Sequence, residues 1–102
     1  MFTNKLLEVI LPNGSKDDTS KLTHIFLVLE LIDYDLRKLL ESSKLRSFSE
    51  EYVKVVIYNL LCALNFIHSA NLIHRDLKPS NIMIDSECKI SLCDFGLSRC
   101  NV

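Results

Sequence analysis

Apolar positions along this chain form short dense runs near its two ends and one long helical repeat between them. Leu6-Leu7-Glu8-Val9-Ile10-Leu11 is such a run, closed by Pro12-Asn13-Gly14, a strong turn signal. A polar loop continues from Ser15 to Lys21. Thr23-His24-Ile25-Phe26-Leu27-Val28-Leu29 is then β-branched and apolar enough for a buried strand. These segments predict two strands joined by a long hairpin loop. Asp35 can cap a short helix that carries Leu36, Leu39 and Leu40 on one side. Ser47-Phe48-Ser49-Glu50 fits a capping box, with Ser47 as cap and Glu50 reaching back. The longest helix is predicted after it, because Val53, Val56, Ile57, Leu60, Leu61, Leu64 and Ile67 keep the spacing that gives one apolar face. It should stop near His68-Ser69-Ala70-Asn71. Beyond Pro79, Asn81-Ile82-Met83-Ile84-Asp85 and Cys88-Lys89-Ile90-Ser91-Leu92 flank Ser86-Glu87, a hairpin pattern joined by a tight turn.

Composition narrows the class. At 102 residues the chain is of single-domain size and buries a smaller share of its surface than a larger chain would. With 48% hydrophobic residues, two Gly and two Pro, it is not a disordered tail. Its 12 basic and 13 acidic residues are interspersed, giving a formal net charge of −1, which argues against a nucleic-acid partner. Cys62, Cys88, Cys93 and Cys100 form no Cys-x-x-Cys pair and no zinc-finger spacing with histidine. Reduced, mostly buried thiols of a cytoplasmic and/or nuclear protein are expected. No apolar run is read as reaching membrane-spanning length, and Met1 to Leu6 lacks the apolar core of a secretion signal, so no membrane partner is expected.

The chemistry gathers near the predicted hairpin. Two strands joined by a tight turn bring their far ends side by side, so Asn81 and Asp94 should face one small volume. One carboxylate and one amide oxygen suit Mg²⁺, a hard cation that shares its oxygen ligands with substrate phosphates. Asp76 precedes Asn81 in the same loop, placed to accept a proton from a substrate hydroxyl. Lys78 adds a cation where charge on a transferring phosphoryl group must be neutralised. Any one of Asp76, Asn81 or Asp94 alone would more often be a turn former or a helix cap. Their order and joint occurrence carry the inference.

In that order, Ile73-His74-Arg75-Asp76-Leu77-Lys78-Pro79-Ser80-Asn81 resembles the catalytic loop of eukaryotic protein kinases. Asp94-Phe95-Gly96 likewise resembles their magnesium-binding turn. The resemblance implies Asp76 as catalytic base, Asn81 and Asp94 as metal ligands, and a Phe95 whose packing sets active or inactive states. A lysine two residues after the catalytic Asp, as Lys78 is, marks the Ser/Thr rather than the Tyr type. His74 is expected to be a packed, hydrogen-bonded scaffold residue, and Arg75 to pair with a phosphorylated activation-loop residue. Upstream, Ile25 to Ile32 is similar to the last small-lobe strand running into the hinge. There the resemblance implies backbone contacts to adenine at Glu30 and Ile32, a gatekeeper at Leu29, and Met83 as the floor of the base pocket. Cys93 reads first as a small buried hydrophobe. Its thiol should still be modifiable by a reactive nucleotide-site ligand. Leu31-Ile32-Asp33-Tyr34-Asp35-Leu36 and Ile67-His68-Ser69-Ala70-Asn71 look most like mitogen-activated kinases.

The implied fold is α+β and covers the central part of a protein kinase domain. Residues 1–29 would supply small-lobe strands, 30–34 the hinge, and 35–102 the start of the large lobe through the Asp-Phe-Gly turn. ATP and Mg²⁺ would be the cofactors, a protein Ser/Thr hydroxyl the substrate, and an upstream activating kinase a further partner. The family's Gly-rich loop, Val-Ala-Ile-Lys lysine and Ala-Pro-Glu segment are expected outside this sequence. Two readings follow: the catalytic segment of a Ser/Thr kinase, or a non-catalytic module that sequesters partners of an intact kinase.

Overall fold

The computed structural model describes residues 2–11, 23–42 and 47–101. In chain order the elements are β1 (Leu6–Ile10), β2 (Phe26–Leu29), β3 (Tyr34–Asp35), α1 (Leu36–Ser42), α2 (Glu50–Ser69), β4 (Leu72–Ile73), a 3-10 turn at Pro79–Asn81, β5 (Ile82–Ile84), β6 (Ile90–Leu92) and β7 (Arg99–Cys100). Strands pair β1-β2, β3-β5-β6 and β4-β7, all antiparallel. This is an α+β arrangement, as expected.

The core lies where α2 crosses the β5–β6 hairpin. Ile82, Ile84, Ile90 and Leu92 meet Val56, Ala63 and Ile67 of the helix, all of them buried. Leu36 and Leu39 of α1 pack against the rim of this cluster. Asp35 caps α1 as expected, its Oδ1 accepting from the Lys38 amide at 2.7 Å.

Several details differ from the sequence reading. The cap of α2 is Ser49, not Ser47: Ser49 Oγ accepts from the Tyr52 amide at 3.1 Å. Starting the helix at Glu50 puts Glu50 and Glu51 in its first turn, where their charge meets the positive end of the helix dipole. Glu50 pairs forward with Lys54 instead of reaching back. Phe48, just before the cap, stacks on Tyr52 with ring centroids 4.9 Å apart and fixes the entry of the chain. The buried stripe also differs from the predicted one. Val53, Ile57 and Leu61 are exposed, while Ala63, absent from the expected face, is fully buried. A residue as small as Ala at that position lets the helix approach β6 closely.

The hairpin turn is one residue longer than expected. The Cys88 amide bonds the Asp85 carbonyl at 3.1 Å and the Asp85 amide bonds the Lys89 carbonyl at 3.2 Å. Cys88 sits at φ 61°. This is a type I turn followed by a left-handed residue, the usual three-residue hairpin loop. Asp85 Oδ1 secures it by accepting from the Glu87 and Lys89 amides at 2.8 and 3.0 Å. From the helix side, Asn59 Nδ2 donates to the Cys88 carbonyl at 2.7 Å.

β1 and β2 form a two-stranded ribbon with register Val9↔Leu27 and Ile10↔Phe26. The strand read as buried is instead largely exposed at Phe26, Leu27 and Leu29, because nothing among the described residues covers the ribbon. The turn expected at Pro12-Asn13-Gly14 and the polar loop after it fall outside the described residues, as does most of the segment before Ser47. By length and mean hydropathy α2 is long and apolar enough to cross a bilayer, which corrects the expectation from its sequence. Its Val56, Ala63 and Ile67 instead close a protein core.

Two substitution pairs test this packing. In urea denaturation Ile84→Ala should cost about 2–5 kcal/mol, and Leu61→Ala no more than about 0.5 kcal/mol. Ser49→Ala should cost about 1 kcal/mol while Ser47→Ala changes little. Equal losses within either pair would mean the stripe or the cap is misplaced.

Candidate active site

The loop between β4 and the 3-10 turn is shaped by backbone constraints at both ends. Pairing of Ile73 with Arg99 anchors its start. Pro79 opens the 3-10 turn, which the Asn81 amide closes onto the Lys78 carbonyl at 2.9 Å. Arg75 adopts a left-handed conformation at φ 67°. Such a backbone costs a residue with a Cβ roughly 1–2 kcal/mol, and Arg75 Nε, which donates to the Leu97 carbonyl at 2.7 Å, helps to hold it.

His74 is the centre of the loop. It is 1% exposed, and its ring lies 4.8 Å from that of Phe95. The Asp76 amide donates to Nδ1 at 3.2 Å, so the ring proton sits on Nε2, which donates to the Cys93 carbonyl at 2.8 Å. One imidazole thus ties the loop to the segment carrying Asp94. It is the scaffold residue that was expected.

Asn81 is buried, and its Nδ2 donates to both the carbonyl and Oδ2 of Asp76, at 3.0 and 3.2 Å. With both amide hydrogens turned to Asp76, the side-chain oxygen is left for another partner. Lys78 Nζ stands 3.4 Å from Asp76 Oδ2, both side chains partly exposed. Across the hairpin the Cys93 amide bonds the Asn81 carbonyl at 3.0 Å, which puts Asp94 one residue beyond the Asn81 rung. Asp94 is itself left-handed at φ 57°, and its Oδ1 accepts from the Gly96 amide at 3.3 Å. A Cβ on Gly96 would lie 3.2 Å from that oxygen, so glycine leaves the carboxylate its place.

Asp76, Lys78 and Asn81 are therefore in direct contact, and Asp94 joins them through the ladder and His74. A cavity of about 480 Å³ opens on the other side of Asp94, lined also by Leu29, Cys93, Phe95 and Asn4. Glu30 and Ile32 border a separate cavity of about 200 Å³ with Asp33, Asp85 and Ser91. Met83 is half-buried and faces Ser91 across the hairpin, and Asp35 on its other side. The Glu30 amide is already bonded to the Lys5 carbonyl at 2.9 Å.

Cys93 has more ties than the sequence indicated. Besides its two backbone bonds, its Sγ lies 3.4 Å from the Asn81 carbonyl. Burial, then the charges of Asp94 and Asp35, push its thiol above the ordinary value. Easy modification, expected from its neighbourhood, is opposed by this shift. Periodicity gave no signal for Cys93 as a junction, nor for the left-handed Arg75.

The chain matches the family model for the protein kinase domain over residues 15–101. Mitogen-activated protein kinase 13 of Oryza sativa subsp. japonica is 49% identical over 75 residues, 74% of this chain and 14% of that protein. Mitogen-activated protein kinase 7 of Arabidopsis thaliana is 40% identical over 94 residues, 92% of this chain and 24% of the relative. Mitogen-activated protein kinase KSS1 of Saccharomyces cerevisiae is 45% identical over 82 residues, 78% and 22% respectively. The chain belongs to the protein kinase domain family, and these three relatives are mitogen-activated protein kinases. It spans between 14% and 24% of the length of these three.

Alkylation kinetics check the state of Cys93. At about pH 8, below the ordinary thiol range, iodoacetamide should modify Cys93 more slowly than the exposed Cys100. The native thiol keeps a proton that the unfolded chain releases first. The stability it contributes is therefore complete below the unfolded-state pKa and is lost as pH rises toward the native one. Faster labelling of Cys93 than of Cys100 would show an activated thiolate instead.

Proposed function

We propose that this chain is the catalytic-loop portion of a protein serine/threonine kinase, which moves the γ-phosphate of ATP to protein hydroxyls. The observation that carries the reading is the direct contact of Asn81 with Asp76, joined by His74 to the segment bearing Asp94. In this reading Asp76 accepts the hydroxyl proton and Lys78 neutralises charge on the transferring group. In this reading residues 1–29 belong to the small lobe, 30–34 to the hinge and 35–102 to the large lobe, with residues 2–4 reaching across to pair with β6.

The donor set suits Mg²⁺. Asn81 offers its amide oxygen, and Asp94 offers the carboxylate oxygen not used by Gly96. Among the described residues no three His, Cys, Asp or Glu side chains cluster to hold a metal by themselves. An ion that completes its shell with phosphate oxygens and water fits such a sparse set. When bound, it would screen phosphate charge. Glu30, its amide spent on Lys5, has its carbonyl to offer an adenine amino group, and Ile32 would supply an N–H beside it, with Met83 beneath the base. The partners would be a Ser/Thr protein substrate and an upstream activating kinase. The four cysteines, all unpaired, suit a cytoplasmic and/or nuclear protein.

One observation favours the second reading, a kinase-derived interaction module. A groove of about 220 Å³ between α1 and α2 is walled by apolar side chains, among them Leu39, Phe48, Val53 and Ile57. Apolar surface of this kind promotes association.

Nucleotide titration separates the roles. Asp94→Asn should weaken Mg²⁺-dependent ATP binding about tenfold or more, whereas Asp76→Asn should leave it nearly unchanged. Equal defects in the two variants would show the roles wrongly divided. The 102-residue chain itself should transfer no appreciable phosphate, because none of its lysines stands in a phosphate-clamping motif and Lys78, which acts on the transferring group, cannot serve both functions. A monomeric sample that phosphorylated a generic protein, with the signal abolished by Asp76→Asn, would make it a minimal kinase.

A further inference from the structure

The segment before β1 does not run with the ribbon that follows it. Thr3 forms a parallel bridge to Leu92, so residues 2–4 lie beside β6 as an extra edge of the core sheet. The Leu92 amide donates to the Phe2 carbonyl at 2.9 Å, and the Asn4 amide donates to the Leu92 carbonyl at 3.1 Å. The Phe2 ring packs against the core and lies 5.6 Å from that of Phe66 on α2. One residue further, the Lys5 carbonyl accepts from the Glu30 amide at 2.9 Å. Leu92 stands two residues before Asp94. Four residues therefore carry a continuous backbone hydrogen-bond path from the turn with the proposed metal ligand to the proposed adenine edge. Asn4 also borders the cavity beside Asp94, and its buried amide oxygen has no hydrogen-bond partner among the described residues. A side chain left unsatisfied there is held by its backbone and not by its own polar contacts.

We propose that Phe2–Lys5 is a positioning strand that couples the Asp94 turn to Glu30, so that metal-dependent phosphate binding and base binding support each other. This rests on the nucleotide reading above. The physical basis is that β6 is short, and without the bonds to Phe2 and Asn4 its outer edge has no strand partner among the described residues. Loosening that edge would leave the Leu92-Cys93-Asp94 segment held by β5 and His74 alone, and would loosen the Lys5–Glu30 bond on the other side. Coupling between two sites through one ordered element is reciprocal and is read as a ratio of affinities.

The test uses the full chain, with Phe2→Ala to hollow the anchor, Phe2→Leu as the conservative rescue, and Asn4→Pro to remove one donor while keeping the ring. Amide hydrogen exchange is followed together with binding of adenosine and of Mg·ATP. The strand predicts that Phe2→Ala and Asn4→Pro quicken exchange at Leu92, Glu30 and Gly96 together. It also predicts that they weaken Mg·ATP about fivefold or more beyond any loss for adenosine, with Phe2→Leu near the parent. Faster exchange confined to residues 2–5 and Leu92, or equal losses for both ligands, would overturn it and leave a passive edge. A parent chain that bound neither ligand would defeat the nucleotide-site reading of these residues separately. Exchange at Glu30 and Gly96 would then decide the coupling by itself. If Phe2→Ala fails to fold, Asn4→Pro carries the same comparison.

Discussion

The candidate site depends on one buried imidazole. His74 accepts from the Asp76 amide on one side of its ring and donates to the Cys93 carbonyl on the other. Those bonds use both ring nitrogens and set the tautomer. A backbone N–H and a C=O from separate parts of the chain are thereby satisfied by a ring that is itself buried. Leaving either one unpaired there would cost about 1–3 kcal/mol. The Phe95 ring closes the remaining face. Geometry at Asp76 and at Asp94 is therefore not set independently. The loop and the turn are both referred to the same ring.

The hairpin supplies the second reference. Its register puts Ile82 opposite Leu92, and the next rung joins Asn81 to Cys93. Because cross-strand neighbours repeat at fixed spacing, residues thirteen apart in sequence, Asn81 and Asp94, are brought to one end. Three of the four left-handed residues stand where this frame must change direction: Arg75 inside the loop, Cys88 in the turn, Asp94 after the strand. Each bends the backbone where an extended or helical residue would carry the chain past the site. Backbone strain of this kind persists only where surrounding contacts over-determine it. Here those contacts are Arg75 to Leu97, Asn59 to Cys88 and Gly96 to Asp94.

Much of this was legible in the residues, and the parts that were not have physical causes. Asp35 as a cap, the extent of α2 and the pairing of the last two core strands follow from local patterns, and local patterns are what a sequence displays directly. The buried face of α2 did not follow. Val53, Val55, Val56, Ile57, Tyr58, Leu60, Leu61, Leu64, Phe66 and Ile67 are apolar nearly all round the helix, so spacing could not choose among the stripes. The buried face shows only in the packed core, where Ala63 lies in one cluster with Ile90 and Leu92 of β6. Ser47 and Ser49 posed the same kind of problem. Both can cap, and the stacking of Phe48 on Tyr52 favours the second. At the site, the residue types and their order announced Asp76, Asn81 and Asp94. The bridge through His74 and the junction at Cys93 join residues nineteen and twelve apart, and no periodicity encodes such pairs.

The distribution of apolar surface follows from the same frame. The core around Leu92 and Ile84 is closed, yet Leu31 is 95% exposed and the ribbon shows Phe26 and Leu27 to solvent. A sheet that used these side chains to hold itself together would bury them. Here the ribbon is held instead by its own ladder and by the bond from Glu30 to Lys5. Its apolar side chains thus contribute little to the stability of the chain described here, and so are available to contacts beyond it. The closed core holds Asp76, Asn81 and Asp94 in register, while the ribbon reaches that core through Phe2 to Asn4. Motion of the ribbon relative to the core must therefore pass through that short segment or through the residues that follow Leu29.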